Sequence, residues 1–273
     1  MKVRFWGVRG SVATPEIDKL KVGGNTACIE LELDNKRIIL DAGTGIIGFG
    51  KFIFPIITNS EDKEINILLS HTHWDHIQGF PFLHLIYMPD IKINIYGPVK
   101  ANRQLKKLIS AQMEYDYFPV KFSHLPSQIE FYELSEGVYE IFDNIIITAR
   151  RHIHPGLAFG YRIEYNGKVV VYNTDIEHFQ NTLDKRVIEL SENADILIHD
   201  AQYTDDEISY KSGWGHSTWK QAINVSKEAN VKYLILFHHD PDRTDDQLFN
   251  IEKEAQKIFQ NTFIAKEGLQ IDL

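Results

Sequence analysis

Four side chains of the kind that bind metal ions occur close together in this sequence, at His71, His73, Asp75 and His76. They follow an apolar run at residues 65–69, whose length and polar flanks predict a buried strand. Because α/β proteins place their chemistry at the carboxyl ends of strands, we interpret the cluster as a metal site. Histidine and aspartate ligands without cysteine favour zinc (Zn2+), with manganese (Mn2+) or iron (Fe2+) as alternatives.

The spacing within this cluster predicts two divalent metal ions rather than one. His71 and His73 are two residues apart, so both can reach one ion from an extended segment. Asp75 and His76 continue the turn and point elsewhere, which favours a second ion. Each ion then needs further ligands from distant parts of the chain, because so short a loop cannot enclose two ions.

Candidate distant ligands follow other apolar strands, at His154, Asp175 and His238. We assign His154 to the first ion, His238 to the second, and Asp175 to a position between them. A bridging carboxylate can hold two ions about 3.5–4 Å apart with a shared hydroxide, which would attack a phosphoryl or acyl group. Two alternatives stay open, since His152 or His239 could replace its neighbour as the ligand.

The composition is typical of an ordinary globular protein, with 43 % hydrophobic and 25 % charged residues. A formal net charge of −9 argues against binding duplex nucleic acid through a basic surface. Cys28 is the only cysteine, which favours a reducing compartment. Since the sequence shows neither a signal-peptide pattern nor an apolar run of about 18 residues, we expect a cytoplasmic protein that does not interact with membranes.

Apolar patterning predicts hairpins and strand–helix units within one domain over residues 1–273. The strand-like runs 158–165 and 168–172 flank Asn166-Gly167, which is a strong signal for a type I′ hairpin turn. Such a mixture of hairpins and strand–helix units predicts an α/β fold of two mixed sheets packed face to face, with helices outside.

Two helices and one irregular segment bear on the site. Thr218 and Gln221 fit a capping box that opens a helix over residues 218–229. A second helix is predicted near residues 97–113. Residues 114–128 are aromatic and irregular, and form either a lid over a pocket or a well-packed surface loop.

The residues from His71 to His76 read His-Thr-His-Trp-Asp-His, which matches the HxHxDH signature of the metallo-β-lactamase superfamily. The order and rough spacing of His154, Asp175 and His238 are similar to those of the remaining ligands in that family. The resemblance implies a four-layer αββα sandwich with a di-metal site along one edge.

A closer resemblance, to the ribonuclease Z branch of that superfamily, covers nearly the whole chain. It rests on residues 24–26, 41–45, 197–203, 215–218 and 233–238. In that branch an acidic residue and a histidine protonate the leaving oxygen, which by position implies Asp200 and His216 here. Independently of the resemblance, an ester oxygen that leaves phosphorus needs a proton, and histidine titrates near pH 7.

Departures from ribonuclease Z point to a small substrate. Asp200 stands where that branch has glutamate, and residues 97–128 are too short and too aromatic to be the long Gly/Pro/Lys-rich arm that grips transfer RNA. Residues 6–11, 213–218 and 237–241 also resemble segments of bacterial metal-dependent hydrolases, some of which act on small phosphodiesters including cyclic nucleotides.

We therefore expect a di-metal phosphodiesterase that acts on a small phosphodiester such as a cyclic nucleotide, with Asp75, Asp200 and His216 as catalytic residues. One alternative is another hydrolase of the superfamily: a thioesterase, lactonase, β-lactamase, sulfatase or ribonuclease. A second is a metal-dependent nucleotide sensor without turnover. We expect no duplex nucleic acid as a partner, and a homodimer stays open.

Overall fold

The first of two seven-stranded sheets comes mainly from the amino-terminal half of the chain. The computed structural model describes residues 1–142, 144–179 and 182–273. The strand order in this sheet is β14-β1-β2-β3-β4-β5-β6. Its strands are β1 (Lys2–Gly7), β2 (Cys28–Leu33), β3 (Lys36–Leu40), β4 (Glu64–Leu68), β5 (Lys92–Pro98), β6 (Gln128–Leu134) and β14 (Gln270–Asp272).

The second sheet has the strand order β13-β12-β11-β10-β9-β8-β7. Its strands are β7 (Gly137–Phe142), β8 (Ile145–His152), β9 (Ala158–Tyr165), β10 (Lys168–Asn173), β11 (Ile196–Asp200), β12 (Tyr233–Phe237) and β13 (Thr262–Ile264). Both sheets are mixed, since each combines antiparallel hairpins with parallel strand pairs. The predicted hairpin at Asn166-Gly167 is confirmed: both residues have positive φ, at 49° and 74°, as a type I′ turn requires.

Helices cover the outer face of each sheet. They are α1 (Gly45–Ile57), α3 (Leu105–Ser110), α4 (Lys185–Ser191), α6 (Trp219–Glu228) and α7 (Asp245–Ile258). Two four-residue helices, α2 (Trp74–Ile77) and α5 (Asp205–Ile208), follow β4 and β11. The predicted capping box is present, because Thr218 Oγ1 accepts from Gln221 N while Gln221 Oε1 accepts from Thr218 N. No helix among the described residues is both long and apolar enough to cross a membrane.

Two apolar cores account for the layers. The larger core lies between the sheets and continues under the helices of the second sheet, with Phe5, Leu31, Tyr172 and Phe237 fully or almost fully buried. The smaller core lies between the first sheet and its own helices, where α1 contributes the buried Phe49. Two mixed sheets flanked by helices confirm the expected αββα sandwich.

The prediction of a helix over residues 97–113 is wrong for its first part. Gly97 and Pro98 end β5, where they pair with Glu133 and Leu134 of β6. Pro98 lies beyond the last residue of β5 that pairs with β4, so its missing N–H removes no hydrogen bond on that side. The helix begins only at Leu105, whose N–H donates to Glu133 Oε1.

Parallel strands bring the candidate ligands to one edge of the sandwich. Strands β10, β11 and β12 run parallel to one another, and β8 shares their direction because β9 is antiparallel to both β8 and β10. The carboxyl ends of these four strands therefore lie at the same edge of the second sheet. The end of β4 in the first sheet faces that edge, since Ser70 O accepts from Phe159 N of β9.

Candidate metal centre

The structure brings the seven candidate ligands together at this edge. His71 and His73 lie in the loop after β4, and α2 carries Asp75 and His76. The remaining three follow strands of the second sheet: His154 after β8, Asp175 after β10 and His238 after β12. Ligand atoms of these residues fall into overlapping groups in which all atoms lie within 4.8 Å of one another.

The first group consists of His71, His73 and His154. Nδ1 of His73 lies 3.1 Å from Nε2 of His154. Asp175 Oδ1 is 3.7 Å from Nε2 of His71 and 3.6 Å from Nε2 of His154. His71 Nε2 is buried and has no hydrogen-bond partner among the described residues, which fits a nitrogen that binds a cation.

The second group consists of Asp75, His76 and His238, together with the other oxygen of Asp175. Nε2 of His76 and Nε2 of His238 are 3.2 Å apart. Asp75 Oδ2 lies 3.3 Å and 3.1 Å from these nitrogens, and Asp175 Oδ2 lies 3.1 Å and 3.3 Å from them. Ligands bound tetrahedrally at about 2.0–2.1 Å are roughly 3.3 Å apart, so the four atoms fit a zinc-sized ion.

Asp175 faces both groups, with Oδ1 towards His71 and His154 and Oδ2 towards His76 and His238. This is the arrangement of a carboxylate that bridges two ions. Its backbone has a φ of 53°, and His238 has a φ of 59°. Non-glycine residues adopt such left-handed conformations only where the surrounding structure holds them, and they cluster at functional sites.

Buried partners orient the imidazoles of the centre. His76 Nδ1 lies 2.7 Å from Asp41 Oδ2, His154 Nδ1 2.9 Å from the carbonyl of Gly215, and His238 Nδ1 3.0 Å from Gln202 Oε1. Each of these oxygens accepts a hydrogen bond, so each Nδ1 carries the proton and Nε2 is free to bind a cation. Histidine ligands in metal sites show the same pattern of outer hydrogen bonds.

Burial also sets the protonation of the first group. It lowers the pKa of His71 well below the ordinary value, that of His73 to about 4, and that of His154 in the same direction. These rings are therefore neutral at pH 7, which is the form that binds metal. The donor set thus fits two divalent cations, held by His71, His73 and His154 on one side and by Asp75, His76 and His238 on the other, with Asp175 between them.

Asp200 and His216 lie beside the ligand set. Asp200 Oδ2 is 2.8 Å from Nδ1 of His216, and the His216 ring lies 5.5 Å from the ring of His154 and 5.0 Å from that of His238. Burial opposes a charge on the ring, but the Asp200 carboxylate outweighs it and raises the pKa of His216 to about 9. A protonated imidazole at this position can donate a proton to a leaving oxygen.

For each pair of neighbouring histidines, the structure shows which ring faces the metal centre and which ring bonds elsewhere. His152 is buried away from the centre, with Nδ1 3.0 Å from the carbonyl of Thr174. His239 Nε2 lies 2.9 Å from the carbonyl of Ala265. Burial lowers the pKa of His152 to about 4 and that of His239 to about 3, so both rings are neutral structural groups.

Sequence reasoning missed three residues that position the centre. Asp41 accepts from Ser70 N, Ser70 Oγ and Tyr172 Oη as well as from His76, so it ties both sheets to one ligand. Gln202 orients His238, and Glu177 accepts from the backbone N–H groups of Gly213 and Gly215 in the loop before His216. Asp41 and Gln202 lie in the segments 41–45 and 197–203 noted above, whereas nothing in the sequence marks Glu177.

The fold and the ligand set define a member of a known class. The beta-lactamase superfamily domain matches residues 36–239, and the chain belongs to that superfamily. Ribonuclease Z of Archaeoglobus fulgidus is 26 % identical to it, over all of this chain and 97 % of that relative. The protein is thus a metal-dependent hydrolase of the metallo-β-lactamase type.

Solved structures share the fold over the full chain. The metallo-beta-lactamase fold protein YhfI of Bacillus subtilis has a TM-score of 0.73 at 21 % identity, covering 99 % of this chain and 98 % of its own. A diphosphatase from the PhnP family has a TM-score of 0.70 at 18 % identity, covering 100 % and 97 %. These two likenesses confirm the architecture.

Proposed function

We propose that the protein is a phosphodiesterase that cleaves a small phosphodiester such as a cyclic nucleotide. The observation that carries the proposal is the Asp200–His216 pair, at 2.8 Å, beside a ligand set for two cations. Cleavage of a phosphate ester of a sugar hydroxyl releases a strongly basic alkoxide, which is a poor leaving group. An acid that protonates the leaving oxygen overcomes that difficulty. Thioesters place a weaker demand on such an acid, because a thiolate leaves more readily than an alkoxide.

The residues of the chain divide the work of this reaction. The seven ligands would hold two divalent cations, which when bound would supply positive charge for the phosphoryl oxygens and acidify water. Asp200 holds His216 through Nδ1, which leaves Nε2 as the nitrogen that gives a proton to the leaving oxygen. The Asp200 carboxylate is fixed in turn by the backbone N–H groups of Ser217 and Gln202, and it also accepts from Asp175 N. The acid is therefore linked rigidly to the bridging ligand.

The ammonium group of Lys100 lies near the metal centre, and this supports an anionic substrate. Lys100 Nζ donates to Thr72 Oγ1 at 2.8 Å, and Thr72 lies between the ligands His71 and His73. Burial lowers the pKa of Lys100 from its ordinary value near 10.5. An ammonium group at this place can attract a phosphate towards the metal centre.

Two observations support a small substrate over a long RNA. The chain carries a formal net charge of −9, which disfavours a phosphate-rich polymer. The segment between β5 and β6 folds onto the smaller core through the buried Leu105, Ile109 and Met113. It therefore offers no extended arm for RNA among the described residues.

Cleavage of RNA is the second candidate. It is favoured by the likeness to ribonuclease Z of Archaeoglobus fulgidus, which extends over the whole chain. The same pair, Asp200 and His216, would protonate a ribose oxygen of RNA as well as of a cyclic nucleotide. A transfer RNA precursor with a 3′ extension, offered beside cyclic AMP, separates the two candidates.

The test uses purified protein loaded in turn with zinc, manganese and iron. We expect turnover of bis(p-nitrophenyl) phosphate and of cyclic AMP that exceeds turnover of a thioester, a lactone, an aryl sulfate and a β-lactam. Asp206→Asn removes a carboxylate at an exposed position in α5, and it should leave this turnover unchanged. A metal-loaded protein that cleaves neither phosphodiester would overturn the proposal, and one that binds cyclic AMP without cleaving it would indicate a sensor.

We extend the proposal to zinc as the resident metal and to the cytoplasm as the compartment. The separations of 3.1–3.3 Å among the ligand atoms of the second group support zinc. The single cysteine, Cys28, supports a reducing compartment. Metal analysis of the protein as isolated tests the first point.

A further inference from the structure

The loop at residues 8–12, which follows β1, reaches the second group of candidate ligands. Ser11 N donates to Asp75 Oδ2 at 2.6 Å, and this is the oxygen that lies 3.1 Å from Nε2 of His238. The loop also packs on the His238 ring, because a Cβ added at Gly10 would lie only 2.4 Å from Nδ1 of that ring. Ser11 therefore adjoins the atoms that would hold the second cation.

A chain of hydrogen bonds leads from His238 to the hydroxyl of Ser11. Gln202 Oε1 accepts from Nδ1 of His238 at 3.0 Å, which leaves the NH2 group of this amide as a donor. Nε2 of Gln202 donates to Ser11 Oγ at 3.5 Å. The hydroxyl thus accepts within the protein, while no described residue accepts from it in turn. Ser11 is exposed, so a ligand can approach this residue from solvent.

The backbone of this loop is fixed before any ligand binds. Ser11 has a φ of 62°, in the left-handed region that non-glycine residues seldom adopt. The fully buried Arg9 anchors the turn that precedes it, since Nε donates to the carbonyl of Gly23 at 2.8 Å and Nη1 to that of Arg243 at 2.6 Å. Backbone conformations of this kind cluster at functional sites. A hydroxyl held in this way loses little conformational freedom when it binds a ligand.

We propose that Ser11 is a substrate-binding residue, and that its hydroxyl donates to a nonbridging oxygen of a phosphoryl group bound at the second ligand group. A phosphodiester has two nonbridging oxygens, whereas a carboxylic ester or a lactone has one carbonyl oxygen. One phosphoryl oxygen can therefore face the cations while the other accepts from Ser11, in a hydrogen bond strengthened by the negative charge. This inference rests on the proposed phosphodiesterase function, because it names a residue that would recognise the phosphate.

Binding of inorganic phosphate to the zinc-loaded protein, measured by calorimetry, tests this role without turnover. Ser11→Ala removes the hydroxyl and keeps the backbone N–H from which Asp75 accepts. We expect the dissociation constant for phosphate to rise about tenfold or more, because a hydrogen bond to a charged oxygen contributes at least that factor. The zinc content, measured by elemental analysis after dialysis, should equal that of the wild type.

Two further variants separate the hydroxyl from other effects. Ser11→Gly removes the same hydroxyl and suits the positive φ, so it should weaken phosphate binding as much as Ser11→Ala does. Ser135→Ala removes a serine hydroxyl at an exposed position between β6 and β7, and it should bind phosphate like the wild type. Hydrolysis of bis(p-nitrophenyl) phosphate by the wild type is followed separately and reports the proposed function.

The results distinguish failure of this proposal from failure of the proposed function. Equal phosphate binding by the wild type and Ser11→Ala, or no binding by the wild type, overturns the role of Ser11 even if bis(p-nitrophenyl) phosphate is cleaved. A loss of zinc from Ser11→Ala, or a loss of phosphate binding that Ser11→Gly does not share, also overturns it. Weaker phosphate binding in both variants at unchanged zinc content supports the proposal even if no phosphodiester is cleaved, and the proposed function alone then fails.

Discussion

Oδ2 of Asp200 lies 2.8 Å from Nδ1 of His216, and Oδ1 of the same carboxylate accepts from Ser217 N at 3.0 Å. The acid of the proposed reaction is thus held by one buried carboxylate, which accepts from the His216 ring and from the backbone N–H of the next residue, Ser217. Since the carboxylate also accepts from Asp175 N at 3.1 Å, it joins the acid and the bridging ligand in one hydrogen-bonded unit. Four predictions concern this unit and its supports, and one concerns the stability of the fold.

Asp200→Asn should change the pH dependence of turnover. The Asp200 carboxylate, against the effect of burial, raises the pKa of His216 to about 9. A general acid must be protonated, so kcat for cyclic AMP falls as pH rises through the pKa of His216. The amide removes the negative charge, and the descending limb of the kcat profile should move to lower pH. An unmoved descending limb would show that His216 does not act as the acid.

Asp175→Asn should reduce metal binding. Each carboxylate oxygen of Asp175 faces a different ligand group, and an amide offers only one oxygen of weaker charge. We expect about two zinc ions per chain in the wild type and one or fewer in the variant, as measured by elemental analysis after dialysis. Asp206→Asn should keep both ions. Retention of two ions by Asp175→Asn would contradict the bridging role.

Glu177→Gln should lower kcat with little change in KM. The Glu177 carboxylate accepts from Gly213 N at 2.7 Å and Gly215 N at 2.8 Å, and so fixes the turn that leads into His216. The carbonyl of Gly215 also orients His154. A looser turn misplaces the acid, and we expect kcat to fall roughly ten- to a hundredfold. Glu228→Gln, at an exposed position, is the control, and an unchanged kcat in Glu177→Gln would remove the positioning role.

The metal-free protein should lose stability as pH falls from about 6.5 towards 4. Burial lowers the pKa of His152 to about 4 and that of His178 to about 3, so the folded state keeps both rings neutral. The unfolded chain takes up these protons near pH 6.5, which favours unfolding below that pH by at most about 1.4 kcal/mol per pH unit for each ring.

Urea unfolding at pH 7 and pH 5 measures this effect on stability. His178→Asn should remove about one of the protons that the chain takes up on unfolding, and so reduce the slope of the free energy of unfolding with pH. His124→Asn, which removes an imidazole from an exposed position, is the matched control. A wild-type protein that is more stable at pH 5 than at pH 7 would contradict the expected sign.

The sheets and the candidate metal ligands could be predicted from the sequence, because both depend on residue types and spacing over short stretches of the chain. Short apolar runs marked the strands, and each candidate ligand follows such a run, as His71 follows β4. The helix predicted over residues 97–113 was wrong in its first part, because a glycine–proline pair is compatible with a strand end as well as with a helix start. Only the pairing of Pro98 with Leu134 decides between them.

The supporting residues could not be predicted, because their roles depend on contacts distant in the chain. Asp41 bonds with Tyr172 from the other sheet, and Glu177 with backbone N–H groups 36 and 38 residues away. Residue type and spacing carry no signal for such contacts.

The most direct test of the central claim compares His216→Ala with the wild type on two phosphodiesters in metal-loaded protein. Cleavage of cyclic AMP releases a basic alkoxide, whereas bis(p-nitrophenyl) phosphate releases a phenolate that leaves without a proton. If His216 is the acid, kcat for cyclic AMP should fall by about 10²–10⁴-fold and kcat for bis(p-nitrophenyl) phosphate by far less. Equal losses on both substrates, or a wild-type protein that cleaves neither, would contradict the account.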